Sequence, residues 1–278
     1  LGGLPLAIRL SAGYVKSSGV PLSEYKEWVD QQPLEELREQ GSEDSKQNVK
    51  ILLDQSMTQV DEMTGVGRSV LWVMGQLGMG SMDRKMLMNA FNRSKVVYNA
   101  MEVLQNLSLM SGDSGDGERV KISHVLIHRY MSDVEVPEGA SDHLDQMAAG
   151  FIALTGECGG DKGRGDTTNY ERLTPEVVHI EALVRKKHQA TSTLVDGIDG
   201  YYAYHSRFDG REWMLNQALG CEGIDDRSKG WYLSLLGNTK YSRGAYSAAL
   251  EMHEQALAIR LKALDDEHPD VASSYMGM

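Results

Sequence analysis

The 278-residue sequence predicts a mainly α-helical protein that ends in a solenoid of helix pairs. Three observations predict it. Apolar residues recur at helical spacing through most of the chain. One stretch, residues 107–122, offers two strand-like runs around a Gly/Asp turn. The last third repeats itself at an offset of 38 residues: Gln217-Ala218-Leu219 falls on Gln255-Ala256-Leu257, Phe208 on Tyr246, and Ile198 on Leu236.

In order, residues 1–49 form a helical segment. Pro5 suits a first helical position, where a missing N–H goes unnoticed. Ala7, Leu10 and Tyr14 share one face and Ile8, Ala12 and Val15 another, so this helix is expected to be buried all round. Ser23 is placed to cap a second helix carrying Tyr25, Trp28 and Val29. Pro33 and Gly41 bracket a short third one, and the polar run 41–49 reads as a linker.

Residues 50–135 form the next unit. Leu71, Val73, Met74 and Leu77 mark one helix, Met82, Met86 and Ala90 another, and Val97, Ala100, Met101 and Leu104 a third. "LSLM" and "RVKI" then flank "SGDSGDGE" as two short strands, and "HVLIHRYM" resumes the helix. Helices closed by a hairpin are the order of a winged-helix domain. Residues 136–193 read as a helical connector, with a helix near 143–154, a Gly-rich loop, and a helix from Leu173 ending in the basic "RKKH" that suits a helix C-terminus. Residues 194–278 hold the repeats: a degenerate first helix pair, a second in which Leu236, Gly237, Ala249 and Ala256 are small or apolar where two helices touch, and the start of a third. Met252 and Ile259 extend the same face. Both ends of the sequence read as cuts from a longer protein.

Composition excludes several functions. A net charge of −12 opposes general binding to a phosphate backbone, and none of the helices at 69–105 is strongly basic, which disfavours a DNA-binding winged helix. No apolar run is long enough to span a membrane, and the first residues lack the basic region of a signal peptide. Two cysteines, Cys158 and Cys221, without metal-ligand spacing fit a reducing cytoplasm. His124 and His128 sit one helical turn apart but lack a third ligand for zinc. Neither "GECGGDKGRGDTT" nor "SGDSGDGE" meets the spacing of a phosphate or calcium loop, and no catalytic triad or carboxylate pair emerges.

Four stretches carry a resemblance. "LSLLGNTKYSRGAYSAALEMHEQALAIRLKALDDEHPDVASSYMGM" resembles the tetratricopeptide repeat of the kinesin-light-chain type, including the spacer Glu267-His268-Pro269-Asp270-Val271-Ala272. The unit at 194–224 departs from it, because Arg211 stands where the repeat wants a small residue. Gly3-Leu4-Pro5-Leu6-Ala7 resembles the GLPLA motif of NB-ARC nucleotide switches. "VKISHVLIHRYM" resembles their MHD position, with His124 in the histidine place but Ser123 and Val125 for its neighbours. "YERLTPEVVHIEALV" resembles the segment that leads into the repeats.

The resemblance implies a fragment of an ADP/ATP-dependent signalling switch and scaffold. Its repeats would bind proteins or peptides in a groove, its parent would self-associate, and nucleic acid and membrane would not be partners. Pro5 would lie against the adenine and His124 would reach the β-phosphate. The bland alternatives are a helix-starting proline and a core histidine under the hairpin. No GxxxxGK[ST] occurs, so no catalysis and no tight ADP binding are expected of this chain. The rival expectation is a kinesin-light-chain-like adaptor with no nucleotide function.

Overall fold

The computed structural model of the chain describes residues 5–31, 44–112, 118–159, 170–263 and 268–277. These residues are mainly helical, with one small sheet. They divide into two compact units, Leu1–Gly150 and Phe151–Met278, parted within a single helix of the predicted connector. Among the described residues no helix is long and apolar enough to cross a membrane.

In the first unit, α1 (Pro5–Ser18), α2 (Leu22–Gln31) and α3 (Asp44–Met63) precede α4 (Gly67–Gln76), β1 (Met82–Asp83) and α5 (Arg84–Ala90). Then come α6 (Lys95–Asn106), β2 (Met110–Gly112), β3 (Arg119–Ile122) and α7 (Val125–Asp133). The strands pair antiparallel in the order β1-β3-β2, with Met82 opposite Val120 and Met110 opposite Ile122. Helix, strand, two helices and a closing hairpin make the winged-helix order. The amphipathic α6 holds it together: Val97, Ala100, Met101 and Leu104 are all buried, and Ser94 caps the helix by accepting from the Val97 N–H. Its outward face carries Lys95, Val96, Tyr98, Asn99 and Glu102.

Helix α4 is buried on nearly every side and packs on α3, α6 and α7. Its approach to α7 is set by Gly75. A β-carbon there would stand 2.7 Å from Met131 Cβ and 3.0 Å from the Met131 carbonyl carbon. No larger residue fits without moving α7.

Several expected boundaries differ. Met82 does not share a helix with Met86 and Ala90. The Asp83 carboxylate accepts from the Met86 N–H at 2.8 Å, which starts α5 at Arg84 and leaves Met82 extended against Val120. Ser23 lies inside α2 rather than capping it, because the Tyr25 N–H already closes the first turn on the Pro21 carbonyl. Helix α1 is one-sided: Leu10, Ser11 and Gly13 are buried while Ile8 and Ala12 are exposed. Tyr25 Oη donates to Ser11 Oγ at 2.9 Å, giving the buried face a polar tie that the apolar pattern hid. From Asp44 onward the supposed linker is the opening of α3. Strand β2 begins only at Met110, because Leu107 ends α6 and Ser108 turns the chain with φ 61°. The short helix at 33–41 and the hairpin turn 113–117 lie outside the described residues, as do the side chains of Trp28 and Val29.

Helix α8 (Ala140–Gly159) runs from the first unit into the second. In the second unit, α9 (Tyr170–Leu173) and a 3-10 turn (Thr174–Glu176) lead into α10 (Val177–Arg185), the turn falling where Pro175 interrupts the expected single helix. The run continues with α11 (Thr191–Tyr204), α12 (Phe208–Leu219), α13 (Asp226–Ser242), α14 (Tyr246–Ala263) and α15 (Pro269–Gly277). From α10 on, each helix packs on the next, the pattern of a solenoid. The Gly-rich loop at 160–169 lies outside the described residues.

Replacing Gly75 by Ala should lower unfolding stability by about 1–3 kcal/mol through overpacking against α7. Replacing Gly156 in α8, where an added methyl meets nothing within 4 Å, should instead raise it by up to ~1 kcal/mol. Urea unfolding of the two variants checks the contrast.

Candidate functional site

The repeat offset seen in the sequence is also the offset of the helices. Helices α11 and α13 end 38 residues apart (204 and 242), and α12 and α14 begin 38 apart (208 and 246). Each pair turns a three-residue corner, 205–207 and 243–245. The corners are built alike: Ser206 (φ 53°) and Gly244 (φ 78°) take the left-handed conformation. The next N–H donates back across the turn, Arg207 to the Tyr202 carbonyl and Ala245 to the Lys240 carbonyl. This double closure satisfies the last carbonyls of the first helix.

Inside the pairs the two units differ. In α13–α14 the buried Gly237, Ala249 and Ala256 let the helices approach closely. A β-carbon on Gly237 would stand 2.6 Å from the His253 ring. The offset places Asp199 at the Gly237 position and Arg211 at the Ala249 position. Arg211 Nε and Nη2 each donate to a carboxylate oxygen of Asp199 at 2.7 Å. The two side chains are 9% and 15% exposed. Arg211 therefore fits the repeat after all, because Asp199 changes with it: a bidentate ion pair replaces a contact of small residues. Arg211 alone looks like a defect in sequence; read together with Asp199 at the repeat offset, it was findable.

The outward face of α13 carries Trp231, Ser234, Asn238 and Tyr241 at i, i+3, i+7 and i+10. Trp231 is 49% exposed and Tyr241 63%. Tyr241 meets Tyr246 edge to face, with ring centroids 5.3 Å apart. On α15 Tyr275 is exposed as well, next to the buried Ser274. Beside this row, Lys240 donates to Glu212 at 2.5 Å and Arg243 to Asp209 at 2.5 Å, lacing the second pair to the first. The aromatic row is not marked in the sequence, because apolar residues at helical spacing point to buried faces and Trp231 and Tyr241 lie on the exposed one.

In the first unit His124 is half-buried at the N-cap of α7, where its Nδ1 accepts from the Leu126 N–H at 3.1 Å. That bond requires an unprotonated Nδ1, so the neutral ring carries its proton on Nε2. His128 is committed elsewhere, its Nε2 donating to the Leu77 carbonyl at 2.8 Å. Pro5 is the first residue of α1, and its side chain lies outside the described residues.

The ion pair gives a sharp expectation. Arg211→Ala should cost ~3 kcal/mol, since it strands a largely buried carboxylate. Combining it with Asp199→Gly, the arrangement of the second pair, should recover most of that loss in chemical unfolding.

The helix geometry agrees with what comparison finds. A family model described as tetratricopeptide repeat matches residues 230–270, which take in most of α13, the Gly244 corner, α14 and the first residues of α15. No curated protein and no solved structure matches the chain. Tetratricopeptide repeats generally serve protein–protein interaction, and that is the level at which residues 230–270 are identified.

Proposed function

We propose that the chain is an interaction scaffold whose repeats bind an extended peptide segment along the face of α13. The single observation carrying this reading is the row of Trp231, Asn238 and Tyr241 along the exposed face of α13. Amphipathic rings give contact area at little entropic cost, and an amide both donates to and accepts from a peptide backbone. Stacked helix pairs extend such a row into a continuous surface. Cys158 and Cys221 are free thiols, in keeping with a cytoplasmic site of action.

The finer part of the proposal concerns the first unit: it belongs to an NB-ARC-type switch, acting with a P-loop that this sequence lacks. The winged-helix order and the position of His124 at the start of α7 support it. With Nδ1 held by the backbone, Nε2–H is the donor His124 would offer to a β-phosphate of ADP or ATP, while Pro5 would face the base. No catalysis is assigned to this chain. The alternative, a kinesin-light-chain-like adaptor without nucleotide function, draws on the family match, which lies wholly in the repeats.

Two measurements test these readings. Peptides selected from a display library against the chain should bind in the micromolar range and lose at least about tenfold, 1.4 kcal/mol, on Trp231→Ala with Tyr241→Ala at unchanged helicity. Failure to select any peptide, or indifference to both substitutions, removes the scaffold reading. Calorimetric titration with ADP should show affinity weaker than about 100 μM, less than ~5.5 kcal/mol. Micromolar binding would contradict a site missing its phosphate half.

A further inference from the structure

His253 lies in the middle of α14, 4% exposed, with no hydrogen-bond partner for its Nδ1 among the described residues. Its ring edge rests on Gly237 of α13 so closely that a β-carbon there would stand 2.6 Å from Nε2. Two turns along the same helix, Arg260 is 2% exposed. Arg260 Nη1 donates to the Asp270 carbonyl at 2.9 Å and to Ser274 Oγ at 2.6 Å, both of α15.

The charged groups around this position leave a proton on His253 without compensation. On α14 itself the carboxylates of Glu251 and Glu254 stand on the exposed face, and the Arg260 cation is buried two turns along. On α13 the cations Lys229 and Lys240 are held by Asp226 and Glu212. From α15 the Asp270 carboxylate lies against Arg227 and against His268, the residue preceding the helix. No carboxylate is bonded to the His253 ring among the described residues.

We infer that His253 makes the α13–α14 pair an acid-sensitive joint, closed while the imidazole is neutral and driven open when it takes a proton. A neutral imidazole brings no charge into this site. An imidazolium there would be a buried cation with no described partner for its Nδ1, on the same helix as a second buried cation. Burial, and secondarily Arg260, hold its pKa below the ordinary 6.5. Once the pair opens, the ring titrates near that ordinary value. The open form thus binds more protons, and stability of the joint falls as pH drops below about 6.5. The first pair lacks the device: the repeat offset puts the buried Leu215 at the place of His253. The inference concerns the joint itself and stands whether or not the face of α13 binds peptide.

The test is amide hydrogen exchange on the whole chain at pH 7.5 and 5.5, corrected for intrinsic rates. In α13–α14, opening should rise at pH 5.5 by about threefold or more, within the tenfold that one full pKa unit gives, while α11–α12 changes little. His253→Leu and His253→Gln should abolish that difference. A nitrogen-15 titration of wild-type His253 gives an independent readout should a variant misfold. A midpoint clearly below 6.5 is expected. A midpoint at or above 6.5, or equal exchange of the two helix pairs at pH 5.5, overturns the inference.

Discussion

The contact on which the repeats depend is the near-absence of side chain between α13 and α14 at Gly237. Two helices that meet there on bare backbone come close enough to seal the pair. Everything outward of that seam, including the orientation of Trp231 and Tyr241, is then set by the axis of α13. The first unit uses the same device at Gly75, where α4 touches the backbone of α7. In both units a glycine fixes how near two helices lie, and the larger residues around it decide only how the remaining space is filled.

The first helix pair answers the same geometric demand with different chemistry. Asp199 and Arg211 reach across the seam and bond to each other, so the separation is set by a planar fork instead of by contact. Such a pair is directional where a glycine contact is not, and it costs desolvation that good geometry must offset. The consequence for packing is that α11 and α12 are held at one register, whereas α13 and α14 are held at one distance. Ion pairs from Glu212 and Asp209 to Lys240 and Arg243 carry the order of one pair into the next.

Much of this was legible in the residues. The offset of 38 proved to be the spacing of helix ends and of left-handed corners alike, because the repeat is a physical unit of fixed length. The apolar face of α6 was read correctly, since four residues at strict helical spacing leave little choice. Strand β1 was not, for a plain reason: two residues are too few to show alternation, and Met82 falls in phase with Met86 and Ala90. The signal that could have found it was Asp83, a helix cap placed where a helix interior was assumed. The exposed Ile8 and the buried Ser11 show the other limit, because the Tyr25 hydroxyl rewards burying a polar side chain that hydropathy alone sends outward. At His124, sequence pointed to a ligand and the fold shows a helix cap. The two roles engage different ring nitrogens and so do not compete.

The corners at 205–207 and 243–245 have a bearing on how such an array can vary. Each needs a single residue in a left-handed turn and one N–H returning to a carbonyl five positions earlier. An inserted residue would break that closure and rotate the following helix about its axis, turning core residues such as Ala249 and Ala256 of α14 outward. Length differences among copies are therefore tolerated between pairs and forbidden within them, so that drift in sequence leaves the period of the hairpin untouched while the pitch of the superhelix changes.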